Sequence, residues 1–392
     1  VAVIKDSGER SLAPPFGDEH EELRATVRRW IETEVVPHQD QWEEAREFPR
    51  GLFERAGELG FLGLKYPESL GGQGGDYLHD AVFTEEIAAA GITGGIGAGI
   101  GAHTGIATPP VWKFGTPEQQ DRFLRPAIRG EKIAALGITE PGAGSDVAGI
   151  RTQAKRVNGG YLVNGSKTFI TNGVRADFIV CAVKTTPEGG HRGISFLVLE
   201  REMEGYEVAA KLEKMGWHAS DTGELSFTDV AVPEENLLGE ENGGFYLIMA
   251  NFQWERLMMA LGSVGGMRWC LDRTLAYVKE REAFGRSIGS FQAIRHKIAE
   301  MATKIEVGRA MTYDALRLFH GGEDVVRQVT LAKLFTQRAA VEVADEAVQI
   351  HGGYGYMREY HVERALRDAR LGPIGGGTDE VMKEIVGRGL GL

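Results

Sequence analysis

YLVNGSKTFITNG, residues 161–173, decides the fold of this chain. Residues 161–164 and 167–171 are two short runs rich in aromatic and β-branched side chains, with the turn signal Asn164-Gly165 between them. A third run, 152–156, precedes them across the turn at 158–160, and runs 178–184, 193–199 and 224–230 follow. No long helical pattern intervenes, so residues 131–240 predict an antiparallel, barrel-like sheet and argue against a Rossmann arrangement. Outward from it on both sides the period changes. Leu23, Val27, Trp30, Ile31 and Val35 recur at three- and four-residue steps before Pro37, as on one face of a helix. Further helices are expected around 52–62, at 76–90 and at 116–123, the last capped by Thr116 with Pro117 behind it. Beyond the sheet, 245–280, 291–319, 324–350 and 378–387 carry long helical patterns. The class is therefore α+β: an all-α domain over 1–130, the β domain over 131–240, and a four-helix-bundle-like domain over 241–392.

Composition removes several functions. The 392 residues carry 44 basic against 56 acidic side chains, a net charge of −12, which opposes a nucleic-acid or anionic-membrane partner. Cys181 and Cys270 are the only cysteines, too few for a disulfide framework or a cysteine-rich metal site, and a cytoplasmic or other reducing compartment is expected. The N-terminal VAVIKDSGERSLAPP has no basic start and apolar run, so no secretory signal is read there. Residues 87–112 lack Asp, Glu, Lys and Arg, but seven glycines and Pro109-Pro110 make a membrane span a poor reading. Small-residue helix and loop, broken by the prolines near one end, is expected instead.

Single motifs of familiar chemistry are absent. GGQGG at 71–75 has neither the preceding strand nor the Lys-Ser/Thr ending of a phosphate loop, and the glycines of HGGYG at 351–355 follow a helix. The ten histidines show no paired ligand spacing, so no metal is expected. ITEPGAGSDVAG, 138–149, reads either as a surface turn or as a rigid loop whose amides, with the Ser145 hydroxyl, approach an anion.

Five separated segments resolve the question by resemblance. ITEPGAGSD, SKTFITNG (166–173), REAFGRSIGSFQAI (281–294), VQIHGGYGY (348–356) and IGGGTDEVMKEIVGR (374–388) resemble the acyl-CoA dehydrogenases, in the family's order and over almost the whole chain. The resemblance implies FAD and the dehydrogenation of an acyl-CoA thioester between Cα and Cβ. Leu136, Ile138 and Thr139 would line the flavin ring, Ser145 would reach the pyrophosphate, and Phe169 and Thr171 would cover and hydrogen-bond the flavin from the next strand. Where the family often has Trp, Phe169 keeps the flat apolar cover without the indole donor. Arg281, Phe284, Gln292, Gln349, Gly352 and Gly353 would meet FAD across a subunit boundary, with Thr378 and Glu380 near its adenosine half. A homo-oligomer is implied, the family norm being a tetramer, with electron-transferring flavoprotein as acceptor and no stable membrane insertion.

One departure matters. Many relatives keep the catalytic base in a Tyr-Glu-Gly-Thr loop, whereas this chain reads Gly375-Gly376-Gly377-Thr378. Long-chain and isovaleryl types place the base on a helix before Arg-Leu, and Glu255-Arg256-Leu257 stands there. Ile248, Phe252, Glu255, Met259 and Gly262 share one helix face, and a carboxylate in such an apolar stripe has its pKa raised toward that of a useful base. By resemblance Glu255 takes the α-proton as hydride leaves Cβ for the flavin. The Gly376 N–H and an FAD hydroxyl would hold the thioester oxygen, and Arg256 would support the loop or the thioester. A glutamate placed at 376 is expected to restore some activity to a chain lacking Glu255, with the glycine-only loop conformation as the obstacle. An acyl-CoA oxidase and an acyl-carrier-protein-linked dehydrogenase are the alternatives on the same fold, with a flavin-dependent hydroxylase, which would not need Glu255, as a further relative; a DNA-binding or scaffold relative would want a basic surface. Residues 94–107, with six glycines in fourteen, are expected at or beside the acyl pocket.

Overall fold

A computed structural model describes residues 15–92 and 94–392. All but the last residue of the N-terminal stretch considered for a signal lies outside the described residues. The first domain comprises α1 (Asp18–Trp30), α2 (Gln39–Ala45), α3 (Gly51–Glu58), α4 (Tyr77–Ala89), α5 (Gly94–Gly101), α6 (Thr108–Phe114), α7 (Pro117–Gln119) and α8 (Arg125–Ile128). Thr116 caps α7 as expected, its hydroxyl accepting the Gln119 N–H. Buried charge ties the first helix of the domain to the fourth: Arg24 on α1 donates to Glu85 (3.2 Å) and Glu86 (2.8 Å) on α4.

Pro109 and Pro110 do not end the charge-free segment. A wide π-turn over Ala102–Ala107 links α5 to α6, and the prolines occupy the start of α6, where a missing N–H is tolerated. Pro110 still leaves the Ile106 carbonyl without its helical donor. The Asn251 side-chain amide takes that place at 3.0 Å.

The sheet contains β1 (Ala134–Gly137), β2 (Gln153–Val157), β3 (Gly160–Thr171), β4 (Phe178–Lys184), β5 (Ile194–Glu200), β6 (Tyr206–Lys211), β7 (Thr222–Pro233) and β8 (Leu237–Leu238). Its order is β6-β7-β3-β2-β4-β5-β8, with β1 parallel beside β4. It is thus an open, mostly antiparallel sheet with β6 and β8 at its edges, rather than a closed barrel. The runs 161–164 and 167–171 form the single strand β3. Against β7 its register slips between Val163 and Gly165 and again between Lys167 and Ile170. Strand β4 is buried along its whole length. Phe178, Val180 and Ala182 pack toward Phe123 and the first turns of the long C-terminal helix, while Ile179, Cys181 and Val183 face the β3 and β7 side chains. Burial on both faces removes polar alternation, which is why β4 reads as a continuous apolar run.

The third domain holds α9 (Gly244–Glu280), the hairpin β9 (Glu282–Ala283) and β10 (Arg286–Ser287), α10 (Gln292–His320), α11 (Val326–His351), α12 (Val362–Ala369) and α13 (Asp379–Gly389). At 37 residues α9 is about 55 Å long and touches all three domains. It crosses α4 closely, because a side chain at Gly265 would lie 2.4 Å from the Glu85 carbonyl. Tyr313 on α10 donates to the Glu85 carboxylate at 2.8 Å. Among the described residues no helix is long and apolar enough to cross a membrane.

Candidate active site

α9 carries Glu255 on the face that also presents Ile248, Phe252 and Met259. Phe252 and Met249 pack on the same apolar cluster as Leu136 and Ile138 at the end of β1, so this face of the helix lies over the sheet. One oxygen of the carboxylate has been taken out of water: Glu255 Oε2 is buried and has no hydrogen-bond partner. Burial pushes its pKa up to about 7, with the nearby charges of Arg256 and Lys333 pulling the other way. A buried carboxyl that titrates near neutrality is suited to accepting a proton.

The glycine loop completes the site. Gly376 has φ +62° and Gly377 φ +96°, conformations that side chains resist. A Cβ at Gly376 would lie 3.6 Å from Glu255 Oε1 and 2.5 Å from Met259 Sδ, so the loop abuts the carboxylate. The Gly376 carbonyl accepts Arg256 Nε–H at 3.2 Å. The Gly376 N–H has no intramolecular acceptor among the described residues. Arg256 is itself buried and turns to the loop, not to Glu255, as their angular separation on the helix requires.

Two further groups lie beside this core. Lys167 Nζ donates to the Ile138 carbonyl (3.0 Å) and to Glu140 Oε1 (2.7 Å), and the Thr168 N–H donates to the Thr139 carbonyl (3.0 Å). This buried pair fixes the start of the 138–149 loop against β3, which sets Leu136, Ile138 and Thr139 next to Phe169 and Thr171. Phe169 sits at the second register slip with φ +59° and is 68 % exposed, an unusual state for a bulky aromatic residue. Ser145 is exposed, and side chains at its neighbours Gly142 and Gly144 would meet nothing within 4 Å, leaving the loop's backbone open to approach.

The other group is at the far end of α9. Arg281, Gly352 and Gly353 line a cavity of about 520 Å³ with Tyr277 and His351. Arg281 stands over the Tyr354 ring at 5.5 Å. Phe284, at the tip of the β9–β10 hairpin, is 95 % exposed with φ +53°. Gln292 and Gln349 are exposed on α10 and α11. Thr378 caps α13 by accepting the Val381 N–H, and Glu380 is exposed in that helix's first turn. Arg281, Phe284, Gln292, Gln349, Gly352 and Gly353 are exposed and do not join the Glu255 core directly, whereas Thr378 directly follows the glycine loop that abuts Glu255.

The glycines of 94–105 answer a packing demand at several points. A Cβ at Gly105 would lie 2.1 Å from Met258 Sδ, one at Gly99 2.7 Å from Phe48, and one at Gly95 2.6 Å from the Ser220 nitrogen. Lys333 and the Lys167–Glu140 pair are not among the residues the sequence motifs point to. Lys167 lies inside SKTFITNG and was legible there; Lys333 sits in an ordinary amphipathic helix and gave no signal.

A carboxylate oxygen without a partner beside an unbonded N–H, on a helix–sheet–helix chain, is an arrangement able to accept a proton next to a polarised carbonyl. The exposed Phe169 and the open backbone at Gly142 and Gly144 fit a flat, anionic cofactor. The chain matches the acyl-CoA dehydrogenase N-terminal domain over residues 17–131, the middle domain over 135–230 and the C-terminal domain over 242–391. It belongs to the acyl-CoA dehydrogenase family, FAD-dependent oxidoreductases. It is 42 % identical to a mouse mitochondrial long-chain specific acyl-CoA dehydrogenase, covering 98 % of this chain and 89 % of that protein. Potato isovaleryl-CoA dehydrogenase is 39 % identical, with 96 % and 91 % covered. The crystal structure of acyl-CoA dehydrogenase from Geobacillus kaustophilus superposes with a TM-score of 0.94 at 43 % identity, covering 97 % and 100 %.

Proposed function

We propose that the chain converts an acyl-CoA thioester to its trans-2-enoyl product, with Glu255 as the base. The observation that carries this is the juxtaposition of Glu255, with its unpartnered Oε2, and the Gly376 loop with its free N–H. Glu255 holds the α-proton at its carboxylate. The Gly376 N–H, held from behind by Arg256, receives the negative charge that develops on the thioester oxygen. FAD, when bound, supplies the acceptor for the hydride leaving Cβ. Leu136, Ile138, Thr139, Phe169 and Thr171 would hold the flavin, and Ser145 would reach its pyrophosphate. Thr378 and Glu380 would lie near the adenosine half, and electron-transferring flavoprotein would accept the electrons. The pairing of Gly376 with Glu255, and the likeness to the mouse and potato relatives, support long-chain or branched acyl groups as substrates.

The test is anaerobic. Purified enzyme carrying FAD is mixed with a ladder of straight and branched acyl-CoAs, and loss of flavin absorbance is followed. Bleaching by at least one member with enoyl-CoA as product is expected. An FAD-loaded enzyme that no acyl-CoA bleaches overturns the reading.

Arg281, Phe284, Gln292, Gln349, Gly352 and Gly353 serve a neighbour's FAD in this reading. Their exposure, above all that of Phe284, supports it. The active species is then at least a dimer. Light scattering on the FAD-loaded enzyme checks this, and a monomer with full turnover contradicts it.

A further inference from the structure

The run from Gly372 to Thr378 is poor in side chains, so it has little packing of its own to hold it still. Two cations on different helices hold it by its carbonyls. Arg256 on α9 takes Gly376. Lys333 on α11 takes Gly372 at 3.0 Å and Gly377 at 2.5 Å, and so brackets the turn at both ends. Lys333 is wholly buried and makes no ion pair with a carboxylate among the described residues. Its charged neighbours are Asp379 at the start of α13 and, on α9, Arg256 and Glu255. A buried, unpaired ammonium is costly, and methionine or leucine would fill this helix position without that cost.

We propose that Lys333 is a positioning residue for the reaction. Its two charge-assisted hydrogen bonds fix the glycine turn so that the Gly376 N–H stays aimed beside Glu255. The proposal rests on the assignment of Glu255 and Gly376 under the proposed function. The donor geometry carries it, because losing Nζ frees both ends of the turn at once. The pH profile supplies a readout that packing alone would not move: a cation near a carboxylate favours ionisation, so its removal raises the pH at which Glu255 becomes a base.

Lys333→Met is the test variant, close in shape but without charge or donors. Lys333→Gln removes the charge and keeps a donor. Both are loaded with FAD, and flavin reduction by an acyl-CoA is followed across pH. Lys333→Met is expected to reduce its flavin at least ~10-fold more slowly, by partial loss of an aimed donor. The midpoint of the rise in rate with pH should move up by about half a unit. Lys333→Gln should be less slow but show the same displacement, and it carries the test should the Met variant not fold. Melting temperature and FAD content are read in parallel. A purely structural lysine would lower those and leave the pH midpoint where the parent has it.

Parental midpoints in the folded variants overturn the proposal. Glu255→Gln is run in the same series to separate the two ideas. If it reduces flavin at the parental rate, the assignment of the base has failed. If it is inactive while the Lys333 variants keep the parental midpoint, only the role of Lys333 has failed.

Discussion

Glu255→Gln keeps its fold, its yellow colour and its affinity for acyl-CoA, while flavin reduction by substrate falls at least ~100-fold, the low end for loss of a general base. The substitution is nearly isosteric and removes only charge and basicity. Stopped-flow measurement of the reduction rate checks it, and a parental rate would place the base elsewhere. The parent's rate should rise with pH through about 7, where the buried carboxyl titrates, and level off above it. Stability runs the opposite way. Glu255 has a folded pKa raised above its unfolded value, so the folded chain binds the extra proton, and stability falls as pH rises from about 4.5 to 7. Above that window the burial costs about 3 kcal/mol, an order-of-magnitude figure. Glu255→Gln should therefore melt higher than the parent at pH 8, a gain in stability together with a loss of catalysis.

Gly376→Glu is expected to abolish activity, and it does not rescue Glu255→Gln. The sequence alone made rescue a reasonable expectation, since many relatives carry glutamate in this loop. Here φ is +62°, where an L-residue costs about 1–2 kcal/mol, and the first side-chain atom would lie 2.5 Å from Met259 Sδ. Either the Met259 tip swings aside or the loop moves away from α9, and a loop shift draws its carbonyls off Arg256 and Lys333 and displaces the Gly376 N–H. Loss of one aimed donor costs about 10²–10³ in rate. In the parent background a second carboxylate would also crowd Glu255 with like charge. The measurement is flavin reduction in the single and double variants, with Met259→Ala added to open the space. Recovery in the double variant without Met259→Ala would show that the loop is freer than its contacts imply.

Much of this was legible residue by residue. The step from period-3.6 patterns to short β-prone runs and back located the sheet between two helical domains, because amphipathic burial is written in the spacing of apolar side chains. Strands β1 and β6 carry no such signal. AALG is four residues long, and YEVAAK lies on an edge with half its side chains in water. Asn164-Gly165 carries a turn signal, yet it lies inside β3, where the chain absorbs the glycine as a register slip against β7. Pro109-Pro110 predicts a break, but a π-turn and the amide of Asn251, some 140 residues away, carry the helix through it.

The sequence by itself determined the family and the order of helix, sheet and helix, and it is what points to Glu255 rather than position 376 as the proposed base. Those rest on local pattern and on motifs whose residues lie close together along the chain. The tertiary structure alone decided that Glu255 Oε2 has no partner, that Met259 fills the space a loop carboxylate would need, and that Lys333 grips both ends of the glycine turn. The physical reason is that desolvation, steric exclusion and hydrogen bonding are set by what other elements bring to a residue. For Glu255 and Gly376 those elements are α9, α11 and the loop before α13, which meet only once the chain has folded.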